Sequence, residues 1–417
     1  MTFRVDIEFR QSDKGGSGIV NYHGEDIGYH TGDLGNMGFG INMGNNAKSV
    51  GAGRQFSSTD FWVSQLADSP KNIIKKEELL MITKQSNNII PVIHRLVTDE
   101  FGENYWFNGC AKYVMECLGE SDYDYWFFAG LTGDIFTQHY TYTKSSDDAL
   151  SSYMMEENPT RFIDDIYARC GYAATYVSNP DIRKNTEMYL QTLIAYIDKE
   201  IPVIKWGNPE GVFVGYEDYG KVLLYITGNS NQPERMTLEK AIQGEALSGW
   251  IFVGEKRESR SLAQLYCEAI CKIPQHLSVK TDTYCFGAEA FRLWARDIEN
   301  GKFDGMTVEE FDTWAYYTNY VCVLATNGSC CYGFLDKAKE LNSDFIFIDE
   351  VKKLYTRTGQ IWNNDNGNDL EALGGGFNVT LEVLQNKDKR AKIIAKIREC
   401  GDCIDKIVEV IEKYTTK

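Results

Sequence analysis

Cys110 is the residue in this chain best placed to act as a nucleophile. It follows the aromatic stretch Tyr105-Trp106-Phe107-Asn108-Gly109, and after it Ala111, Val114, Met115 and Leu118 recur at helical spacing as far as Gly119. The pattern predicts an extended aromatic approach, a turn at Gly109, and a cysteine on the first turn of an inward-facing helix. Unpaired backbone N–H groups and the helix dipole at such a place favour the thiolate. A thiolate attacks acyl carbonyls, and Asn108 or a neighbouring backbone N–H is the candidate donor to the oxyanion that forms. A plain core thiol is the competing reading, because cysteine is among the most buried residue types.

A nucleophilic thiol needs a base, since at its ordinary pKa of about 8.5 only a few per cent is ionised at neutral pH. The histidines are His23, His30, His94, His139 and His276. His139 follows the loop Gly130-Leu131-Thr132-Gly133-Asp134 and either turns toward Cys110, with Asp134 orienting it, or bonds a backbone carbonyl. Glu210 is the other candidate base, a carboxylate in place of an imidazole. His23 and His30 lie near Glu25 and Asp26 in a Gly-rich segment, where solvated side chains are the commoner outcome than metal ligation. Cys400-Gly401-Asp402-Cys403 has thioredoxin spacing, but it falls inside a helical heptad. Cys267, Cys271, Cys330 and Cys331 are helix-face residues that complete no zinc site. The Asn-rich loop from Trp362 to Asp369 lacks the ligand register of a calcium loop. Gly38 to Gly44 carries neither a Walker lysine nor a dinucleotide fingerprint. No cofactor and no metal is expected.

These residues need a scaffold, and 417 residues can bury a large core. Hydrophobic content of 43% and charged content of 25% are those of an ordinary globular protein. A formal net charge of −17 repels phosphate backbones and anionic lipid, so nucleic acid and membrane are poor partners. The amino-terminal residues have no apolar signal core, and no run of about 18 apolar residues occurs, so a cytoplasmic location with free thiols is expected. Residues 1–87 read as a loop- and β-rich extension, with a strand near Ile7 and a short amphipathic helix from Pro70 to Thr83. Residues 88–258 alternate helices and strands. They comprise a strand from Asn88 to Leu96, the cysteine helix, a strand from Tyr172 to Val177, and a helix after Pro180. A buried strand from Ile201 follows, then the hairpin Gly211 to Ile226 and a closing strand at Trp250. Residues 259–417 read as all α. Ile393, Ile397, Cys400, Ile404, Ile407, Ile411 and Tyr414 make a heptad seam suited to a helical bundle or a homodimer contact.

The cysteine helix, Asp122 to Tyr125 leading into Ala129 to Gly133, Tyr172 to Val177, Ile197 to Gly207, Gly215 to Asp218 and Gly249 to Glu255 occur in an order that resembles one branch of the papain-like cysteine peptidase superfamily. That branch is the amino-terminal domain of the butirosin-biosynthesis protein H type. Beyond residue 258, Cys285 to Ala295 resembles the helical region that follows this domain in many bacterial proteins of unknown function. The resemblance implies an α+β papain-like core, a nucleophile-position helix packed on an antiparallel sheet, with a C-terminal helical domain. It implies an acyltransferase or amidohydrolase acting through Cys110 on a small-molecule or peptide substrate, including an acyl group held on a carrier protein.

The chain departs from that pattern at one place. Where the superfamily carries a histidine on the hairpin's first strand, this sequence reads Asn208-Pro209-Glu210-Gly211-Val212-Phe213. The alternative expectation is therefore a catalytically inactive papain-like domain that binds a small molecule or peptide.

Overall fold

The computed structural model describes residues 6–12, 15–22, 25–30, 85–96, 105–141, 150–318 and 331–415, apart from 229, 246, 364–366 and 377–378. The helix anticipated from Pro70 to Thr83, His23, the glycine run from Gly38 to Gly44 and Cys330 lie outside them. Three strands, β1 (Asp6–Ser12), β2 (Gly15–Tyr22) and β3 (Glu25–His30), form an antiparallel sheet in sequence order.

The second sheet carries the site. Its path runs β10 (Glu234–Thr237), β9 (Val222–Ile226), β8 (Gly211–Glu217), β7 (Val203–Trp206), β11 (Gly249–Lys256), β6 (Tyr172–Ser178), and every pairing in it is antiparallel. β4 (Asn88–Ile89) pairs with the far end of β8, at Tyr216 and Gly215, beyond the point where β7 stops pairing. The sequence suggested a strand as far as Leu96. Pro91 cannot donate to a ladder, and the chain instead follows the sheet through single bonds from Ile90 N–H to Val214 O and from Leu96 N–H to Thr227 O.

The cysteine helix α1 (Trp106–Cys117) lies against this sheet, and its residues Phe107 to Ala111 and Tyr113 to Met115 are all buried. It ends in a reversal at Gly119, φ +82°, where Glu120 N–H reaches back to Met115 O at 2.9 Å. α2 (Tyr125–Thr132) starts on an Asp124 carboxylate that accepts from Phe127 N–H at 2.7 Å. β5 (His139–Thr141) follows, then α3 (Leu150–Glu157) and α4 (Pro159–Arg169). α5 (Asn179–Lys184) and α6 (Thr186–Ile197) link β6 to β7, and the short α7 (Leu238–Ala241) follows β10.

Among the described residues beyond Lys256 the regular elements are helices except for β12 (Tyr284–Phe286), which pairs with β5 and so ties the two regions together. The helices described there are α8 (Leu262–Leu277), α9 (Gly287–Glu299), α10 (Val308–Thr318), α11 (Tyr332–Leu341), α12 (Ile348–Trp362), α13 (Leu370–Leu373), α14 (Leu381–Gln385) and α15 (Lys387–Thr415). The seam of α15 from Ile393 to Ile411 is buried against α8, α9 and α12 of the same chain. Of the two uses the heptad suggested, the bundle takes these residues, so a homodimer contact through this helix would need another face. Aromatic contacts cross between the regions: Phe136 meets Phe334 and Tyr355, and Tyr266 stacks on Phe334 at 4.3 Å. No helix among the described residues is long and apolar enough to cross a membrane.

Candidate active site around Cys110

The helix that presents Cys110 begins earlier than its sequence suggests. Tyr105 is its N-cap, with its own N–H donated to the Tyr125 hydroxyl at 2.9 Å, and Gly109 N–H already bonds Tyr105 O at 3.3 Å. Gly109 is therefore a helical residue, and Cys110 is the fifth residue of α1 rather than part of its first turn. Dipole stabilisation of a thiolate fades beyond that turn. The reason is local: four aromatic side chains around the start (Tyr105, Trp106, Phe107 and Tyr125) gain more from packing into the core than from an extended approach.

Phe107 sets the helix against its neighbours, 5.1 Å from the Phe162 ring on α4 and 6.1 Å from the Trp206 ring on β7. Cys110, one turn on, is 1% exposed. Burial pushes its thiol well above the ordinary cysteine range, and the negative charge of Glu210 pushes it further. The helix backbone and the Lys205 ammonium act the other way without overcoming burial. The resting thiol is protonated.

Lys205 and Glu210 come from the β7–β8 connection. Lys205 lies on β7, is 5% exposed, and donates from Nζ to the carbonyl oxygens of Gly207 at 2.9 Å and Pro209 at 2.6 Å. It thereby anchors the turn that delivers half-buried Glu210 toward Cys110. Burial brings the Lys205 amine down to about 8, while Glu210 acts to hold the proton on. Tyr167 of α4 completes the group: its phenol is pushed up by burial and by the charge a Cys110 thiolate would carry. The Tyr167 hydroxyl is fully enclosed, with no hydrogen-bond partner among the described residues.

Asn108 and Asp134 meet elsewhere. Two helical positions are about 200° apart, so Asn108 leaves α1 on the side opposite Cys110. Its Nδ2 donates to Asp134 Oδ2 at 2.8 Å, and the same carboxylate takes Ser151 N–H and Ser151 Oγ, each at 2.8 Å. Thr132 Oγ1 lies 3.0 Å away. Burial raises the Asp134 carboxyl above its ordinary range and these hydrogen bonds pull it back. The amide offered as an oxyanion donor is thus engaged in joining α1 to the start of α3. His139 sits on β5 opposite Phe286, its ring 5.3 Å from Tyr153 and 5.9 Å from Phe286. Asn108 and Asp134 are brought together and Cys110 and Glu210 are brought together, but the two pairs occupy different sides of α1.

Sequence reasoning passed over Lys205 and Tyr167. Lys205 had a visible signal, a lone charge inside the apolar strand Val203-Ile204-Lys205-Trp206. Tyr167 had none, because a tyrosine on an amphipathic helix is ordinary. Among the described residues no group of three or more His, Cys, Asp or Glu side chains is arranged to hold a metal ion. No protein-family model and no curated protein matches this chain.

Proposed function

We propose that the chain is a papain-like protein whose Cys110 centre is catalytically silent, and that it acts by binding a small molecule or peptide near the junction of α1 with the β7–β8 turn. The observation that carries this reading is the state of the thiol: fully buried, kept protonated, and faced by the Glu210 carboxylate rather than an imidazole. A carboxylate there disfavours the thiolate, and burial blocks the approach of an acyl group. The enclosed Tyr167 hydroxyl without a partner supports the binding half, since a buried hydroxyl is normally hydrogen-bonded. The cysteines described are all free thiols, which fits a reducing compartment such as the cytoplasm.

One observation favours the cysteine acyltransferase or amidohydrolase reading. The Lys205 amine at about 8 loses its proton more easily than an ordinary lysine, and a neutral amine can accept the Cys110 proton. Alkylation separates the two readings. The full-length protein is treated with iodoacetamide at pH 7.5 and each cysteine is followed by peptide mapping. Under the silent reading Cys110 labels more slowly than half-exposed Cys267 or exposed Cys271. Selective fast labelling of Cys110, lost in Lys205→Met, would establish the enzyme reading instead.

A further inference from the structure

Two thiols stand side by side on the surface of α8. Cys267 is half-exposed and Cys271 exposed, four residues further along the same helix, and the two thiols hydrogen-bond each other. The turn that carries them is anchored: Tyr266, Ala269, Ile270 and Ile273 are buried, and a capping box of Ser261 and Gln264 fixes the start of the helix. The other cysteines described are buried, apart from half-exposed Cys117, which has no second exposed thiol on its helix.

We infer that Cys267 and Cys271 form a two-thiol chelate that captures a thiophilic metalloid of the trivalent-arsenic class. Helix geometry sets Cβ atoms four residues apart at about 5–6 Å, whereas a disulfide needs about 3.5–4.5 Å. While α8 is intact the pair is too wide for a direct S–S bond, but it suits a single bridging atom larger than sulfur. Zinc is a poor match, because it takes four ligands and two thiols supply half of them. Burial, then Cys267 and Glu268, raise the Cys271 thiol above the ordinary cysteine range, so a metal ion would have to displace a firmly held proton. A linear two-coordinate ion wants its sulfurs on opposite sides, and one helix face offers them side by side. Pyramidal arsenic(III) takes adjacent sulfurs, and its net reaction consumes protonated thiols. With an oxide R–As=O, two As–S bonds form, the As=O bond breaks, and both thiol protons leave on the oxygen as one water. Arsenic stays trivalent, so neither oxidant nor reductant is needed. The first As–S bond tethers the arsenic beside the second thiol at an effective concentration in the millimolar range, which gives the pair its advantage over a single cysteine.

The test treats folded, full-length protein with one equivalent of phenylarsine oxide in excess 2-mercaptoethanol, then reads the intact mass and a tryptic map. The peptide Ser261–Lys272 carries both thiols and no other cysteine. Wild type holds one phenylarsenic group on that peptide, with two hydrogens lost, and releases it to 2,3-dimercaptopropanol. Cys267→Ser and Cys271→Ser each hold the group about tenfold or more weakly than wild type. Serine is close to isosteric at these solvent-facing positions, and circular dichroism checks that both variants keep the fold. The inference is overturned if wild type carries no adduct on Ser261–Lys272, if the arsenical settles on other thiols in preference, or if either single variant holds it as tightly as wild type.

Discussion

Replacing Lys205 by methionine is the sharpest test of how the turn beneath Cys110 is built. The folded protein holds this amine at about 8 against an ordinary 10.5, burial being the main cause. At about 1.4 kcal/mol per pH unit, that difference means the charged amine costs roughly 3 kcal/mol of stability. Below pH 8 both the folded and the unfolded chain carry the proton, and the whole cost is present. Between pH 8 and 10.5 the folded chain has released a proton that the unfolded chain still holds, so this group's contribution to stability rises with pH. Methionine fills a similar volume without a charge, but it leaves the carbonyls of Gly207 and Pro209 without their donor, at about 1 kcal/mol each. The variant is therefore about 1 kcal/mol more stable than wild type at pH 7 and about 2 kcal/mol less stable at pH 10.5. Urea unfolding, followed by circular dichroism from pH 7 to 10.5, measures the difference. Taking it between variant and wild type cancels the tyrosines and other cysteines that titrate in the same range. A difference that stays constant with pH would refute the claim that this amine is desolvated in the fold.

Three further outcomes follow from the packing. Asp134→Ala leaves Asn108 Nδ2 and both Ser151 donors without their acceptor and destabilises the protein by roughly 3–5 kcal/mol in urea unfolding; a loss below about 1 kcal/mol would mean that other groups already satisfy those donors. Gly130→Ala drives a methyl group to 2.2 Å from the Phe334 ring and lowers stability by about 1–3 kcal/mol through overpacking, read as a drop in Tm, while an unchanged Tm would place α11 farther from α2. His276 is held near 4 by burial and by neighbouring Arg169, against an ordinary 6.5. The unfolded chain takes up a proton first as pH falls, so this group costs roughly 3 kcal/mol between pH 6.5 and 4. His276→Gln removes that part of the acid sensitivity, and an unaltered acid-unfolding midpoint would count against it.

Several elements were legible in the sequence because their signal is local. The cysteine helix, the strands at 203–206 and 249–256, the hairpin from 211 to 226 and the final heptad helix all follow from apolar periodicity and turn residues. Boundaries were less legible. Cys285 reads as the start of a helix, but Tyr284–Phe286 is a strand because β5, far away in sequence, offers it a ladder.

For the candidate site, the sequence alone determined that a cysteine lies on a buried helix and that no histidine occupies the hairpin. It also placed a carboxylate, Glu210, just ahead of that strand. Only the tertiary structure decided that Glu210 and Lys205 share the field of Cys110, and that Asn108 is spent on Asp134. It likewise placed His139 among Tyr153 and Phe286, on a strand paired with the helical region. The physical reason is that the pKa of a thiol and the partner of an amide depend on burial and on charges a few ångströms away. Those neighbours are brought there by strand pairing and helix packing between residues up to a hundred positions apart, which no short-range pattern encodes.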